Sequence, residues 1–574
     1  MRDSGLRKAG TGLATGALLT APLLGLFALG GLAGLPSVPF TIFEWLIRVL
    51  PGRLVIFGLD LTLRILEGLG FNIKNAAKTT EQVLALVSLF VGGLVIAVLY
   101  FRLVRTRDRQ NLRRYALGVG AVLGVFSLVI TFLQAVPAST AGKVVAAIWT
   151  LGLFLLWGAG LARLYLLTFP ADRPETATAS ETATASETAT ASETAVASET
   201  ATSVQTGPQA EARVISRRRF IIEMGGVAAT IVVVGAGVGN VLRAQATPTP
   251  QLVKAPIPFP NAASQVQPVP GTRPEYTAVA DHDRVDIDLT SPSVTGSTWR
   301  LPVDGLVTKK LSLTLDQIKS GFTPQELFIT LSCISNPVGG PLIGTTLWTG
   351  APFRDILKEA QPLPSAHYAH ITAADGFDEV VDLQMAQSDP RVMLVYAWNG
   401  EPLPQDHGYP LRIYIPDLHG MKQPKWITGI SLVPDSISGY WVQRGWDQTA
   451  RMHTTSVIDT VATDSLVKKN GLTYVPVGGI AHAGARGIAK VEVQVDGGPW
   501  EAAELRMPLS GLTWVIWRYD WLFSEGAHEL AVRATDGTGA LQDAQDQGTF
   551  PSGATGIYKK TADVLPATRP PAGT

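Results

Sequence analysis

Cysteine is nearly absent: Cys333 is the only one in 574 residues. A single thiol forms no intrachain disulfide and no Cys-x-x-Cys-His attachment, so no c-type haem is expected. Histidine is missing from residues 1–281, and all eight stand from His282 onward. A b-type haem inside a membrane usually needs paired histidines, so no haem is expected there either. Net charge is absent as well. The 47 Lys and Arg balance 47 Asp and Glu, which removes the basic footprint of a nucleic-acid binder.

What is abundant is apolar sequence, and it is unevenly spread. Mean hydropathy is positive overall, with the long apolar runs confined to the first 245 residues. Runs near the 20 residues needed to cross a bilayer occur at 11–35, 83–104, 115–136, 144–167 and 220–242. A sixth stretch, 40–66, carries Glu44, Arg48, Arg53, Asp60 and Arg64. That pattern fits two interfacial amphipathic helices broken at Pro51-Gly52 better than one span. Basic clusters orient the spans. Arg7 and Lys8, then Arg102 to Arg114, then Arg163 and Arg173, then Arg217 to Arg219 all fall on the cytoplasmic side if five spans cross. Membrane lipid is therefore one expected partner, and the chain after the fifth span is expected on the extracytoplasmic side of the cell membrane.

Between spans four and five a Glu-Thr-Ala-Thr-Ala-Ser repeat, with Glu175, Glu181, Glu187, Glu193 and Glu199, has almost nothing to bury and reads as a solvated linker. Ser216-Arg217-Arg218-Arg219-Phe220 resembles a twin-arginine export signal. Such a route suits a domain that folds around a cofactor before crossing. Ala244-Gln245-Ala246 could be cleaved, but retention as an anchor suits the multi-span arrangement better. A Pro-rich tether follows.

From about Pro274 the pattern turns to short strands, turns and brief helices. Strands are expected at 297–307, 377–383, 392–397, 411–415 and 426–433, helices at 314–320 and 352–360, and a turn at Asn399-Gly400. A β-prone run, Leu327 to Leu331, ends just before Cys333, and Ser335-Asn336-Pro337-Val338-Gly339-Gly340 follows at once. Most lone cysteines are core filling. A thiol where a strand gives way to a loop is placed like a metal ligand or a nucleophile. Beyond Leu472, runs at 475–481, 488–495, 501–505, 513–519 and 528–535 repeat with turn signals, as in a β-sandwich whose core would rest on Trp500, Trp514 and Trp517.

Several separated motifs then share one resemblance. Thr330-Leu331-Ser332-Cys333 with Asn336, Trp348-x-Gly350, Tyr396 to Pro404, His407-Gly408-Tyr409-Pro410-Leu411-Arg412 and Lys425-Trp426 resemble, in order and spacing, the sulfite oxidase family of molybdopterin-dependent oxidoreductases. The resemblance covers about Pro274 to Gln542. It implies that Cys333 supplies the one protein thiolate to molybdenum beside the pterin's dithiolene, and soft sulfur suits that metal. It implies that His407 and Arg412 hold the pterin. Gln423, Pro424 and Lys425 would receive its phosphate, with Lys422 as further charge. Asp283 and Arg284 match an upstream cofactor contact, and Asp375 or Thr372 another. Arg444 and Trp446 match a segment that closes over the metal, as catalytic-pocket candidates. The sandwich would be the family's immunoglobulin-like dimerisation domain, implying a homodimer.

Two departures bear on the substrate. Sulfite oxidases of the family carry arginine shortly after the cysteine, where Pro337 and Val338 stand here, and a tyrosine aligns with Trp446. A dianion loses its pairing partner, so a sulfoxide is at least as well suited as a small oxyanion. The implied reaction is two-electron oxygen-atom transfer, with electrons exchanged with a separate electron-transfer partner. A metal-free membrane-tethered binding protein or scaffold using the same fold is the alternative. The expected order is a membrane region with four spans plus an interfacial segment (1–170), a low-complexity cytoplasmic linker (171–215), the twin-arginine-like signal and fifth span (216–245) and a Pro-rich tether (246–273). An α+β molybdopterin-binding domain (274–465) and an all-β immunoglobulin-like sandwich (466–566) complete it.

Overall fold

The computed structural model describes residues 2–32, 35–50, 58, 73–104, 109–134, 140–169, 257–289 and 291–564. Residues 2–49 and 82–169 form one compact unit and residues 257–564 a second. The repeat linker, the twin-arginine-like motif, the expected fifth span and the first part of the tether lie outside the described residues.

The first unit is helical: α1 (Arg2–Leu32), α2 (Val38–Val49), α3 (Ile73–Leu103), α4 (Arg109–Gln134) and α5 (Thr140–Thr168). Four of these hold a segment long and apolar enough to cross a bilayer, Lys8–Gly31, Glu81–Leu103, Gln110–Leu133 and Gly142–Thr168. A helix bonds its own backbone, which is what a segment without water requires. Helix α2 has 12 residues and is about 18 Å long, too short for a hydrocarbon core of about 30 Å. It ends just before Pro51, where the break was expected. Its Phe43 is buried and Trp45 meets Phe126 of α4 edge-on at 5.6 Å. The remainder of 40–66, apart from residue 58, lies outside the described residues. Helices α4 and α5 approach closely through glycine: a Cβ on Gly120 would lie 2.4 Å from Phe154 O, and one on Gly158 2.5 Å from Ala116 O. Small residues are what lets two apolar helices pack at that distance.

The second unit begins with two sheets. The first takes the order β2 (Leu311–Leu313), β1 (Leu301–Gly305), β10 (Ile427–Val433), β5 (Tyr368–Ala373), β6 (Asp378–Asp382), with only β1 and β10 parallel. The second is antiparallel, β3 (Gln325–Ser332), β4 (Ile343–Pro352), β7 (Met393–Trp398) and β8 (Glu401–Pro402), with β9 (Arg412–Tyr414) also pairing β7. One apolar core joins them through Leu301, Ala351, Leu394, Ile413 and Ile430. Helices α6 (Leu315–Gly321), α7 (Phe353–Ala360) and α8 (Leu383–Ser388) pack Ile318, Ile356 and Ala386 into it. Thr314 starts α6 with a reciprocal cap, accepting from Gln317 N at 3.0 Å while Gln317 Oε1 accepts from Thr314 N at 2.8 Å. The expected strand from 297 begins only at Leu301, because residues 296–298 turn.

The C-terminal part is a sandwich. One sheet runs β11 (Thr455–Val461), β13 (Leu472–His482), β17 (Val515–Leu522), β16 (Glu504–Leu505), with β12 (Val467–Lys469) on β13. The other runs β15 (Glu501–Ala502), β14 (Ile488–Val495), β18 (Gly526–Asp536), β19 (Tyr558–Val564). The expected strand 501–505 is thus two short strands in different sheets, switching at Ala503. Trp517 and Trp514 are core, but Trp500 is half-buried under the Arg533 guanidinium at 4.3 Å.

Candidate cofactor and metal site

Strand β3 delivers the thiol. It leaves the sheet where Cys333 N donates to Leu342 O at 3.0 Å, and Asn336 Oδ1 closes the loop by accepting from Leu342 N at 2.8 Å. Cys333 Sγ is half-buried, 3.1 Å from Ser335 Oγ. Burial pushes the thiol up to about 11, the Ser335 hydrogen bond opposes the rise, and the Asp283 carboxylate adds to it. Such a thiol is a poor nucleophile at neutral pH; a coordinated metal would deprotonate it outright. Among the described residues no three of His, Cys, Asp and Glu converge as metal ligands. A metal at Cys333 would need further ligands brought by a cofactor.

The chain between β8 and β9 builds a second wall. A 3-10 turn, Gln405–His407, ends at Gly408, whose φ is +113°. A Cβ there would sit 3.1 Å from both Arg412 Cβ and Lys425 Cβ, so only glycine lets these three strands of chain meet. The Arg412 guanidinium is buried 4.7 Å from the Trp348 ring and 5.5 Å from that of Trp398. Its Nη1 donates to His407 O at 3.2 Å, and its Nε finds no acceptor among the described residues. Burial lowers Arg412 to about 9, partly offset by Asp283, so it stays charged at neutral pH. His407 stacks on Trp398 at 4.7 Å. Burial pushes it down to about 2, with His282, Arg412 and Arg284 adding to the effect. It is a neutral ring.

A buried carboxylate organises the cations beside this wall. Asp286 accepts from Arg284 Nε at 2.8 Å and pairs with Lys425, while Arg284 Nη1 reaches Asp406 Oδ2 at 2.9 Å. Lys425 also donates to Val285 O at 3.2 Å and lies 4.4 Å over the Trp426 ring. Gln423 Nε2 donates to Leu418 O at 2.8 Å, leaving its buried Oε1 without a donor among the described residues. Pro424 O accepts from Ile413 N at 3.1 Å, which ties this loop to β9.

The fold therefore gathers Asp283, Arg284, His407, Arg412, Pro424 and Lys425 around β9, with Cys333 coupled to them through Asp283. Other expected residues stand apart. Asp375 accepts from Phe377 N at 3.0 Å within its own turn, where Ala374 N donates to Trp426 O at 3.0 Å. Thr372 lies 3.3 Å from Thr428 across the sheet. Arg444 lies 3.5 Å over the Tyr440 ring and donates to Tyr440 O at 2.7 Å. Trp446, expected in the pocket, is packed in a cluster with Ile334, Met421 and Ala450 and meets Phe550 edge-on at 5.2 Å. Lys422, expected as free charge, donates to buried Glu379 at 2.6 Å, so its charge is matched inside the protein.

Sequence reasoning missed Asp286, Glu379 and the aromatic pair Trp348 and Trp398, 5.0 Å apart. Both tryptophans stood inside the quoted motifs, and a guanidinium five residues past His407 was the available hint. Asp286 and Glu379 had no local signal. Arg412 Nε and Gln423 Oε1, both buried without a partner among the described residues, and a lone thiol fit a flat anionic cofactor that brings further sulfur ligands.

Residues 288–441 match the family described as the oxidoreductase molybdopterin binding domain. Residues 447–549 match the Mo-co oxidoreductase dimerisation domain. Among curated relatives, Nitrate reductase (NADH) 1 of Oryza sativa subsp. japonica is 28% identical over 301 residues, covering 42% of this chain and 33% of the relative. Sulfite oxidase of Gallus gallus is 28% identical over 300 residues, covering 44% of this chain and 65% of the relative. The chain thus spans between a third and about two-thirds of the length of these relatives. The crystal structure of the sulfane dehydrogenase SoxCD from Paracoccus pantotrophus is similar at 21% identity and a TM-score of 0.43, covering 49% of this chain and 81% of that one.

Proposed function

We propose, for a chain whose residues 288–441 belong to the oxidoreductase molybdopterin binding domain family and 447–549 to the Mo-co oxidoreductase dimerisation domain family, that it is a membrane-anchored, extracytoplasmic oxidoreductase. When bound, a molybdenum–pterin group supplies two-electron oxygen-atom transfer to or from a small oxyanion or sulfoxide. The protein would do the rest. Cys333 is the ligand, its loop held by the Asn336 clasp. Arg412 would balance negative charge on the pterin, and neutral His407, packed against Trp398, would help to hold it. Lys425 and Arg284, aligned by Asp286, together with the Gln423–Lys425 loop, receive the phosphate end. A one-electron partner protein exchanges electrons, and the sandwich pairs two chains as a homodimer.

The observation that carries this reading is a buried Arg412, its Nε without an acceptor among the described residues, coupled through Asp283 to a solitary thiol that is unreactive without a metal. Four bilayer-length helices support the anchor. Metal analysis of purified full-length protein tests it. About one molybdenum per chain is expected, lost in Cys333→Ser; a metal-free wild type from a molybdenum-replete host would instead support the binding-protein alternative. A haem Soret band in the purified protein would sink the separate-partner clause.

A further inference from the structure

Three of the eight histidines, His419, His453 and His482, line one small chamber together with Met452, and the cofactor reading uses none of them. The chamber holds about 30 Å³, room for a single ion or water. Short backbone ties shape it. His419 N donates to Ala450 O and Met452 N to Asp417 O, both at 2.9 Å, across the antiparallel bridge of Leu418 and Arg451. His419 and Met452 are therefore diagonal neighbours. Strand β11 begins just beyond, at Thr455, which pairs with His482 at the end of β13. A Cβ on Gly553, whose φ is +98°, would lie 3.1 Å from His419 Nε2 and 3.3 Å from His453 Cδ2, so a glycine lets this loop close over the two rings.

The ring nitrogens are unequally used. His453 Nε2 donates to Ser552 O at 3.0 Å, and His419 Nδ1 donates to Ser332 O at 3.1 Å. Donation to a carbonyl fixes the tautomer and makes the other nitrogen a lone pair, as in metal-ligating imidazoles. On His419 that lone pair, Nε2, is buried and has no partner among the described residues. His482 is served no better. Its Nδ1 is likewise buried and unpartnered, and its Nε2 meets Met452 Sδ, a weak acceptor, at 3.3 Å. That separation is close to what two ligands of one ion require. A nitrogen and a sulfur held tetrahedrally at roughly 2.0 and 2.3 Å from a metal stand about 3.5 Å apart. Burial holds His419 down at about 4 and His482 at about 3, so no proton competes for these lone pairs at pH 7.

The donors also select the ion. Among the described residues no three of His, Cys, Asp and Glu form a ligand group, which leaves two imidazoles and a thioether, all neutral. Nearby cations are already matched, Arg273 by Asp459 at 2.7 Å and Arg486 by Asp417 and, at 2.8 Å, by Asp536. A divalent ion would bring two uncompensated charges into this interior, and a monovalent ion brings one. Thioether sulfur favours Cu(I), and imidazole suits copper as well.

We propose that the chamber binds one Cu(I) ion through His419 Nε2, His482 Nε2 and Met452 Sδ. This site does not depend on the molybdenum reading. The two meet at Ser332 O, which His419 holds and which belongs to the same peptide group as Cys333 N.

Anaerobic titration of full-length protein with bicinchoninate-buffered Cu(I) tests the proposal. Cys333→Ser is the background, because a free thiol would also take copper. One Cu(I) per chain is expected there. Met452→Leu, His419→Gln and His482→Gln in that background should each weaken binding at least about tenfold, whereas His367→Gln, on the surface, should not. X-ray absorption at the copper edge should show one sulfur and two imidazole nitrogens, and without Cys333 that sulfur is a methionine's. Met452→Leu keeps nearly the same volume, so without copper it should melt near its parent. Copper should raise the parent's Tm and leave that of Met452→Leu nearly unchanged. No binding in Cys333→Ser, a sulfur-free spectrum, tighter binding of Zn(II) than of Cu(I), or an affinity unmoved by Met452→Leu overturns the proposal. None of these outcomes decides the oxygen-transfer reading, which stands or falls on molybdenum content.

Discussion

The two ends of the candidate site are built on opposite electrostatics. Around β9 the protein buries a guanidinium and leaves part of it unsatisfied, then holds Arg284 and Lys425 in place through a buried Asp286. Around Cys333 it does the reverse. The thiol is held protonated, His419 and His482 are held neutral, and the nearby Arg273 pairs with Asp459 at 2.7 Å. One end waits for an anion, and the other offers a lone pair and little charge. The difference fits the proposed reading, in which the cradle holds an anionic cofactor and the thiol waits for a metal.

Removing the thiol should break this contrast most. Cys333→Ser is expected to reduce molybdenum-dependent turnover by more than the roughly 10–100-fold typical of losing a mere supporting residue. Metal content per chain measured alongside decides whether retention or chemistry failed. Arg412→Met should separate holding from folding. Cofactor content should fall at least about tenfold, yet the cofactor-free protein should be no less stable, because a buried guanidinium whose Nε has no acceptor among the described residues is replaced by a thioether chain. Denaturant titration of the two cofactor-free proteins checks the sign.

The buried pair sharpens the comparison from inside the fold. Lys422→Met strands Glu379 and should cost about 3–5 kcal/mol, with most of it restored in Lys422→Met/Glu379→Leu. Burial already raises Glu379 despite Lys422, and the single variant should raise it further, so its destabilisation should ease as the pH is lowered. Acid acts next. His407, His419 and His482 are depressed to about 2, 4 and 3. The unfolded chain therefore binds more protons than the native one below about 6.5. Each ring then costs roughly 1.4 kcal/mol per pH unit as pH falls from there to its folded value. His407→Gln should flatten the stability–pH curve by one such slope. The smallest effect is chemical: in cofactor-free protein Cys333 should alkylate slowly at pH 7, accelerate toward pH 11, and be protected once cofactor is bound.

Much of the fold could be read from the chain. Strand β3 ending before Cys333, the Asn399-Gly400 turn with φ of +56° and +78°, and α7 with Phe353, Ile356 and Leu357 inward follow from local steric and apolar patterning. The order of motifs singled out Cys333, His407, Arg412 and Lys425 as candidates. An aromatic run reads alike whether it lines a pocket or fills a core; the fold sets Trp446 beside Ile334, Met421 and Phe550. Trp500, expected in the sandwich core, is half-buried, since alternation cannot tell a sandwich's inner face from its rim.

The sequence by itself determined the four bilayer-length helices, the single thiol, the absence of histidine before residue 282 and the short-strand soluble half. Each follows from composition or from spacing along one element. Tertiary structure alone decided which charges are matched. Asp286 lies 139 residues from Lys425 in the chain and Glu379 lies 43 from Lys422. Burial, not proximity in sequence, sets whether a cation seeks an outside partner. That is why the cradle's need for an anion and the cysteine loop's neutrality appear only once the strands are folded.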